Sequence, residues 1–488
     1  MLHGLAFSNP LWMPRASPHS AVLPRTSHSQ QPHSTTPHPP HAALLLSAAH
    51  RLTQRMSSTI APTAGQGVNP APTHMLPPVS LLVEQPDVGA FNPPKRLLMG
   101  PGPGNAHPRV HAAMALPQIG HMDGAFLQMA EEIKEMLRYA WQTKNPFTVP
   151  CSGTGSAAWE ALCANLTSPG DKHLVLVNGY FGLRHCDMAS RYGAEIIKLE
   201  KPWGEVFTPE EVDAACSEHK PDMIWVAHAE TSTGACQPMD SLGEIARNHD
   251  CLLAADTVTS IGGLPVRLDE WGVDAAYAGG QKALSCPPGI APLTFGDRAL
   301  TKMDKRTAAG EQVKNWYLDM NMIKQYLVVN DFGVPRVYHH TAPISMAYAL
   351  REALGILTEE GLEASWSRHR DAAEFFWNEL EKIGLECHVD WEHRLPTLTT
   401  VKIPEGIDGG KVVTYLRENY SIEIAGGLGA LTGKVWRIGL MGYNARRENA
   451  ALVCAALRDA LDAQGYYRAP GLLYKTRAHS RTSFHGSA

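Results

Sequence analysis

The sequence predicts an α/β protein built on a mainly parallel sheet of the seven-stranded type, followed by a smaller α+β unit. Three observations predict it. Short apolar runs alternate with amphipathic stretches in steps of roughly thirty residues, which is the spacing of βαβ units. A length of 488 residues supplies two or three structural units at about 150 residues each. A content of 44% hydrophobic and 19% charged residues is the balance of a globular chain with a large core.

The front of the chain stands apart. No acidic residue precedes Glu84, while Arg15, Arg25, Arg51 and Arg55 are scattered among Pro, Ser, Thr and His. Such a stretch buries too little apolar surface to offset its chain entropy, so residues 1–93 are expected to be a disordered leader. Within it, a helix over 41–56 would place Leu45, Ala48, Ala49, Leu52 and Met56 on one face and Ser47, Arg51 and Arg55 on another. An acid-free, arginine-bearing amphipathic helix near the N-terminus is the pattern of a mitochondrial transit peptide. An inert leader, or translation starting at Met56, is the alternative. The final Gly486-Ser487-Ala488 is not the S-K-L peroxisomal address.

From Pro94 the elements follow in order. Strands are expected at Lys172–Val177, Met223–Ala227, Cys251–Ala255 and Asp274–Ala278. Helices are expected at Ala157–Leu166, Pro209–His219 and Ser241–His249, completing a large domain over 94–360. Long helical patterns at Ile344–Thr358 and Leu362–Ile383 lead into a small domain over 361–466. It holds strands near Thr397–Ile403 and Val435–Leu440 and helices at Gly410–Glu418 and Glu448–Gln464. Residues 467–488 read as a loose basic and aromatic tail.

Composition narrows the function. No run of eighteen apolar residues offers a membrane span, and a net charge of −5 gives no excess of cations for nucleic acid. Nine cysteines with no C-x-x-C pair argue against a disulfide framework or a zinc ribbon. His185, His228 and His393 show no metal-ligand spacing and read as structural.

The most informative segment is Cys251–Lys282. One apolar strand ends in Asp256 and the next in Gly279-Gly280-Gln281-Lys282, so a carboxylate and an amine emerge together at the carboxyl edge of a parallel sheet, where ligands bind. Pyridoxal phosphate requires such a pair: a carboxylate to keep the pyridine nitrogen protonated, and a lysine to form a Schiff base with the aldehyde. A phosphate cradle is available at Ser152-Gly153-Thr154-Gly155-Ser156, directly before a helix whose free N–H groups attract an anion. Gly100-Pro101-Gly102-Pro103-Gly104 is weak as a phosphate loop, because its prolines have no N–H.

The strings LLMGPGPGN, SGTGS, HAETSTG, ADTVTSIGG, GGQKALSCPPG, YHHTAP and GGLGALTGKVWRIGLMG follow one another between Leu97 and Gln464. In these the chain resembles the class V aminotransferases of pyridoxal phosphate fold type I, in the alanine–glyoxylate/serine–pyruvate branch. The resemblance implies that Lys282 is the Schiff-base lysine and proton carrier, that Asp256 partners the pyridinium, and that Val258 packs beneath the ring. It implies that Phe181 stacks on the ring, where many relatives carry Trp, and that Thr231 bonds the ring hydroxyl, where relatives often use Ser. Thr154, Gly155, Ser156 and Gln281 would hold the phosphate; some animal relatives have His in place of Ser156. Tyr338 and Thr341 would complete the site of a second subunit, giving a homodimer, and Arg437 would grip the substrate carboxylate. The activity implied is ping-pong transamination between alanine or serine and glyoxylate or pyruvate. A lyase such as a cysteine desulfurase, using Cys286, Cys387 or Cys454, and a catalytically silent scaffold are the competing expectations.

Overall fold

The computed structural model describes residues 82–466. The expected leader helix over 41–56 and the tail over 467–488 lie outside them. The chain divides into two compact units after Ala90. Of the first, residues 82–90 are described, all exposed and without helix or strand. The second, from Phe91, carries every element below.

Its strands in chain order are β1 (Leu97–Leu98), β2 (Phe147–Ser152), β3 (Lys172–Val177), β4 (Glu195–Glu200), β5 (Met223–Ala227), β6 (Ala229–Glu230) and β7 (Ala235–Cys236). They continue as β8 (Leu252–Asp256), β9 (Ala275–Tyr277), β10 (Ile290–Phe295), β11 (Leu398–Lys402), β12 (Ile422–Glu423), β13 (Ala425–Gly426) and β14 (Val435–Gly439). A seven-stranded sheet has the order β2-β10-β9-β8-β5-β3-β4. The β3–β4, β3–β5, β5–β8 and β8–β9 pairs are parallel, and β10 alone runs against its neighbours β2 and β9. The reason lies in the β9–β10 connection, which carries Pro287-Pro288 and no crossover helix, so the chain returns antiparallel.

Alternation along these strands builds two cores. Leu174, Ile224, Val226, Leu253 and Ala255 face one side. Val175, Val177, Trp225, Ala254 and Tyr277 face the other. Both faces are covered by helices, as the apolar runs require. The helix Pro209–His219 begins as its sequence dictates: Thr208 and Glu211 form a reciprocal capping box, and Pro209 stands where no N–H is needed.

The C-terminal elements form a three-stranded antiparallel sheet of order β11-β14-β13, covered by the helices Leu362–Lys382 and Arg447–Asp462 around Phe376, Trp436, Val453 and Leu457. Here the structure departs from expectation. β1 pairs in parallel with β12, and Met99 is buried in this C-terminal core. The segment after Pro94, assigned from sequence to the large domain, is therefore packed with the last third of the chain. The edge strand β2, its neighbour β10 and the charged opposite edge strand β4 were also absent from the sequence reading. Their apolar runs are interrupted by Pro150, Pro292 and Lys198, which masks the pattern. Among the described residues no helix is long and apolar enough to cross a membrane.

Candidate active site

The carboxyl ends of the parallel strands converge on one cleft. Asp256 is the last residue of β8, and its register partners are Ala227 on β5 and Tyr277 on β9. The side chain is buried. Tyr277 Oη donates to Asp256 Oδ2 at 2.7 Å, and the N–H of Val258 donates to Oδ1 at 2.8 Å. Burial pushes the Asp256 carboxyl up to about 6, against the pull of these two donors and of Lys282 and Arg184.

Lys282 follows β9 on the next loop. Burial, foremost, and the like charge of Arg437 lower its ammonium to about 8, against the pull of Asp256. Its Nζ donates to the carbonyl of Pro101. Gly102, at φ +105°, must be glycine here: a Cβ would stand 2.6 Å from both Cδ and Nζ of Lys282. The loop is fastened from both sides. Leu98 N donates to Asn105 Oδ1 at 2.8 Å, Asn444 Nδ2 reaches the same oxygen at 2.9 Å, and Gly104 N donates to the carbonyl of Gln281 at 3.1 Å. The GPGPG run is thus a strap over the lysine, not a phosphate loop. Sequence reasoning missed that role, and Tyr277 and Glu230 with it.

Around this pair stand most of the other expected residues. Thr154 caps the helix Gly155–Leu166 without a side-chain bond to it, and Thr154 and Ser156 are exposed at the cleft. Val258 lies against this turn, its Cγ2 within 3.7 Å of where a Cβ on Gly155 would be. Thr231, buried in the turn after β6, bonds Thr259 through its hydroxyl. Phe181 opens the helix Tyr180–Arg191 beside Trp159, with the Arg184 guanidinium 5.0 Å from its ring centroid. Arg437 sits mid-strand on β14, half-buried, its Nε donating to the carbonyl of Gly426 at 2.9 Å. Its neighbour Trp436 turns fully into the core, as the alternation required.

Tyr338 and Thr341 are brought elsewhere. Both are exposed, and the segment between them bonds the start of the phosphate turn through His340 Nε2, 2.7 Å from Ser152 Oγ. Two of the histidines read as structural, His185 and His228, are packed into the core. His185 is buried between Trp159 and Trp225, and burial holds it neutral; His228 is likewise pushed down to about 4. The thiols a desulfurase would need are buried and pushed up, Cys286 and Cys454 to about 12 and Cys387 to about 11.

A profile of the family described as Aminotransferase class-V matches residues 109–452. The chain belongs to the class V aminotransferases. It is 43% identical over 411 residues to the alanine–glyoxylate aminotransferase of Callithrix jacchus, covering 83% of this chain and 97% of that protein. The (S)-ureidoglycine–glyoxylate transaminase of Bacillus subtilis is 38% identical over 383 residues, covering 75% and 91%. Among solved structures, an alanine–glyoxylate aminotransferase from Nostoc sp. matches with a TM-score of 0.74 and 51% identity over 77% of this chain and 97% of that one. The protein is therefore a transaminase, and its family implies pyridoxal phosphate.

The cleft fits that cofactor. It pairs a buried carboxylate with a half-buried lysine amine, and the side-chain oxygen of Gln281 is buried without a partner beside the expected phosphate turn. A buried polar atom left unpaired in an aminotransferase cleft is accounted for when a polar group occupies it.

Proposed function

We propose that this aminotransferase moves an amino group from alanine or serine to glyoxylate or pyruvate, with alanine and glyoxylate the favoured pair. The observation that carries the reading is the electrostatic triad of Lys282, Asp256 and Arg437 in one cleft, with Asp256 and Arg437 both within range of shifting the titration of Lys282. Glyoxylate occurs in the names of both kinds of relative and the donor differs between them, so the similarity supports the acceptor more strongly than the donor.

When bound, pyridoxal phosphate supplies an aldehyde that takes up the amino group and a ring that draws electrons from the reacting carbon. The chain's own residues do the rest. Asp256, with Tyr277 and Val258 donating to its carboxylate, would hold the proton on the ring nitrogen. Lys282, at about 8, has a far larger neutral fraction near pH 7 than an exposed lysine and can take the proton from the donor's Cα. Arg437 offers a planar fork to the α-carboxylate common to donor and acceptor. Phe181 and Val258 would bracket the ring, Thr231 would bond its hydroxyl, and Thr154, Gly155, Ser156 and Gln281 would hold the phosphate.

The exposed Trp316, Val337 and Tyr338, close to His121 and His339, form an aromatic patch of the kind buried between subunits. This supports a homodimer in which Tyr338 and Thr341 serve the partner's cleft. The acid-free leader supports delivery to mitochondria. A reporter fused to residues 1–57 should localise there, and a diffuse signal unchanged by Arg51→Ala and Arg55→Ala would refute it.

The deciding experiment is a single-turnover panel of amino donors against the cofactor-loaded enzyme. Alanine and serine should each convert it to the amine form, and glyoxylate should reverse the conversion. Conversion by (S)-ureidoglycine alone would overturn the proposed donor.

A further inference from the structure

Asp256 is not the one buried carboxylate in this cleft. Glu230, the last residue of β6, is 1% exposed, and everything that satisfies it comes from the protein itself. Phe181 N donates to Oε2 at 3.2 Å, while Ser232 N and Ser232 Oγ donate to Oε1 at 3.0 and 2.6 Å. Gly179 makes the room: a Cβ there would lie 2.3 Å from Glu230 Cδ. The turn that follows is closed by Gly234 N donating to the carbonyl of Glu230 at 2.8 Å, and it rests on β11, where Thr400 Oγ1 donates to the carbonyl of Thr233. Thr400 is the register partner of Arg437. The carboxylate thus ties the start of the helix carrying Phe181 to the turn carrying Thr231, and the backbone of that turn rests in its own right on the strand pair carrying Arg437.

We propose that Glu230 is a positioning residue that couples carboxylate binding at Arg437 to uptake of one proton from water. The proposal rests on Arg437 being the carboxylate grip. The charged and titratable groups facing Glu230 are few. Asp256, from β8, raises its pKa by like charge; Arg437, from β14, is lowered by its own burial, and the charge of Glu230 opposes that lowering. Lys282 and Arg184 act on Asp256, and Arg184 lies over the rings of Tyr180 and Phe181 at the start of the same helix that bonds Glu230. His228, two residues earlier, is turned to Trp271 and Cys236. Burial, foremost, pushes Glu230 up to about 7, so its charge is poised near neutrality.

The sign follows from linkage. An anionic Glu230 shares the field of Arg437, so an incoming carboxylate finds a partly neutralised partner. Once that carboxylate is bound, its like charge and the cancelled guanidinium field both favour protonated Glu230. Reciprocity then requires tighter carboxylate binding on the acid side and weaker binding as pH rises through the titration of Glu230.

The test is calorimetric titration of the cofactor-loaded enzyme with propionate, a carboxylate that cannot react, across the neutral range and in two buffers of different ionisation enthalpy. For the wild type, affinity should fall about tenfold toward alkaline pH, with net proton uptake on binding. In Glu230→Gln the pH slope should shrink and high-pH affinity should rise, while any uptake owed to Lys282 persists in both proteins. An unchanged slope in a folded Glu230→Gln variant overturns the proposal, as does wild-type binding near pH 7 without proton uptake. Should Glu230→Gln fail to fold, Glu230→Asp keeps a titrating carboxylate, and the midpoint of the slope should move; an unmoved midpoint overturns the proposal. Arg437→Ala separates the two readings: undiminished propionate binding there would refute the carboxylate grip itself, whatever Glu230 does.

Discussion

Asp256 has the harder electrostatic task of the two groups that face each other at the strand ends, because it must stay charged in a place that penalises charge. Two donors offset the burial, and Tyr277 Oη is one of them. Tyr277 is itself fully buried and its hydroxyl is pushed well above its ordinary value, so it remains a donor at every relevant pH. Tyr277→Phe should therefore raise the Asp256 pKa further from about 6 and remove a hydrogen bond to a charged group, a loss of about 1.5–3 kcal/mol. The expected outcome is weaker cofactor retention that fails at higher pH than in the wild type, since retention is lost as pH falls through the Asp256 titration. Equilibrium dialysis of the cofactor across pH checks it; an identical profile in the variant would show that Tyr277 only packs. Asp256 and Lys282 were legible in the sequence because each ends an apolar run, and that position needs no partner to be recognised. Tyr277 was not, because its role appears only when the register of β8 against β9 is known. Glu230 was hidden for a similar reason: it lies inside the HAETSTG string, but its burial is decided by Gly179 and Phe181 some fifty residues away.

At the scale of elements, legibility followed local pattern. β3, β5 and the helix Pro209–His219 fall on their expected limits because short apolar runs, a capping box and a helix-opening proline are all contiguous in sequence. β1 was invisible, since two residues carry no period and its pairing partner lies more than three hundred residues on. The same distance hid the strap from Gly100 to Gly104, which from sequence had only its poverty in N–H groups to describe it. Its geometry yields a direct expectation. Gly102→Ala introduces a side chain at φ +105° and drives a Cβ into Lys282. The strain costs about 1 kcal/mol or more, which a fold of this size should tolerate, but the lysine must move. Turnover should drop at least about tenfold and the yellow colour of the lysine-bound cofactor should weaken, with far-ultraviolet circular dichroism unchanged. Full turnover in a folded Gly102→Ala variant would show that the strap does not position Lys282.

For the molecule as a whole, the seven-stranded sheet and its helical cover were readable from alternation, while the assembly of its sites was readable only from resemblance. One chain brings Lys282, Asp256 and Arg437 together unaided, yet leaves Tyr338 and Thr341 exposed beside an aromatic patch. If those two residues serve the cleft of a second copy, inactivity must be complementable between subunits. A Lys282→Ala chain and a chain carrying Tyr338→Ala with Thr341→Ala should each be impaired as homodimers. In a mixed dimer, the second chain keeps its own Lys282 and receives an intact Tyr338 and Thr341 from the first, so one of its two sites is whole. Random pairing makes about half of the dimers mixed, which restores about a quarter of wild-type activity. Were Tyr338 and Thr341 instead to serve the chain that carries them, no pairing would build a complete site and mixing would restore nothing. The two arrangements thus differ in the activity of one co-expressed sample, measured against each parent at equal concentration.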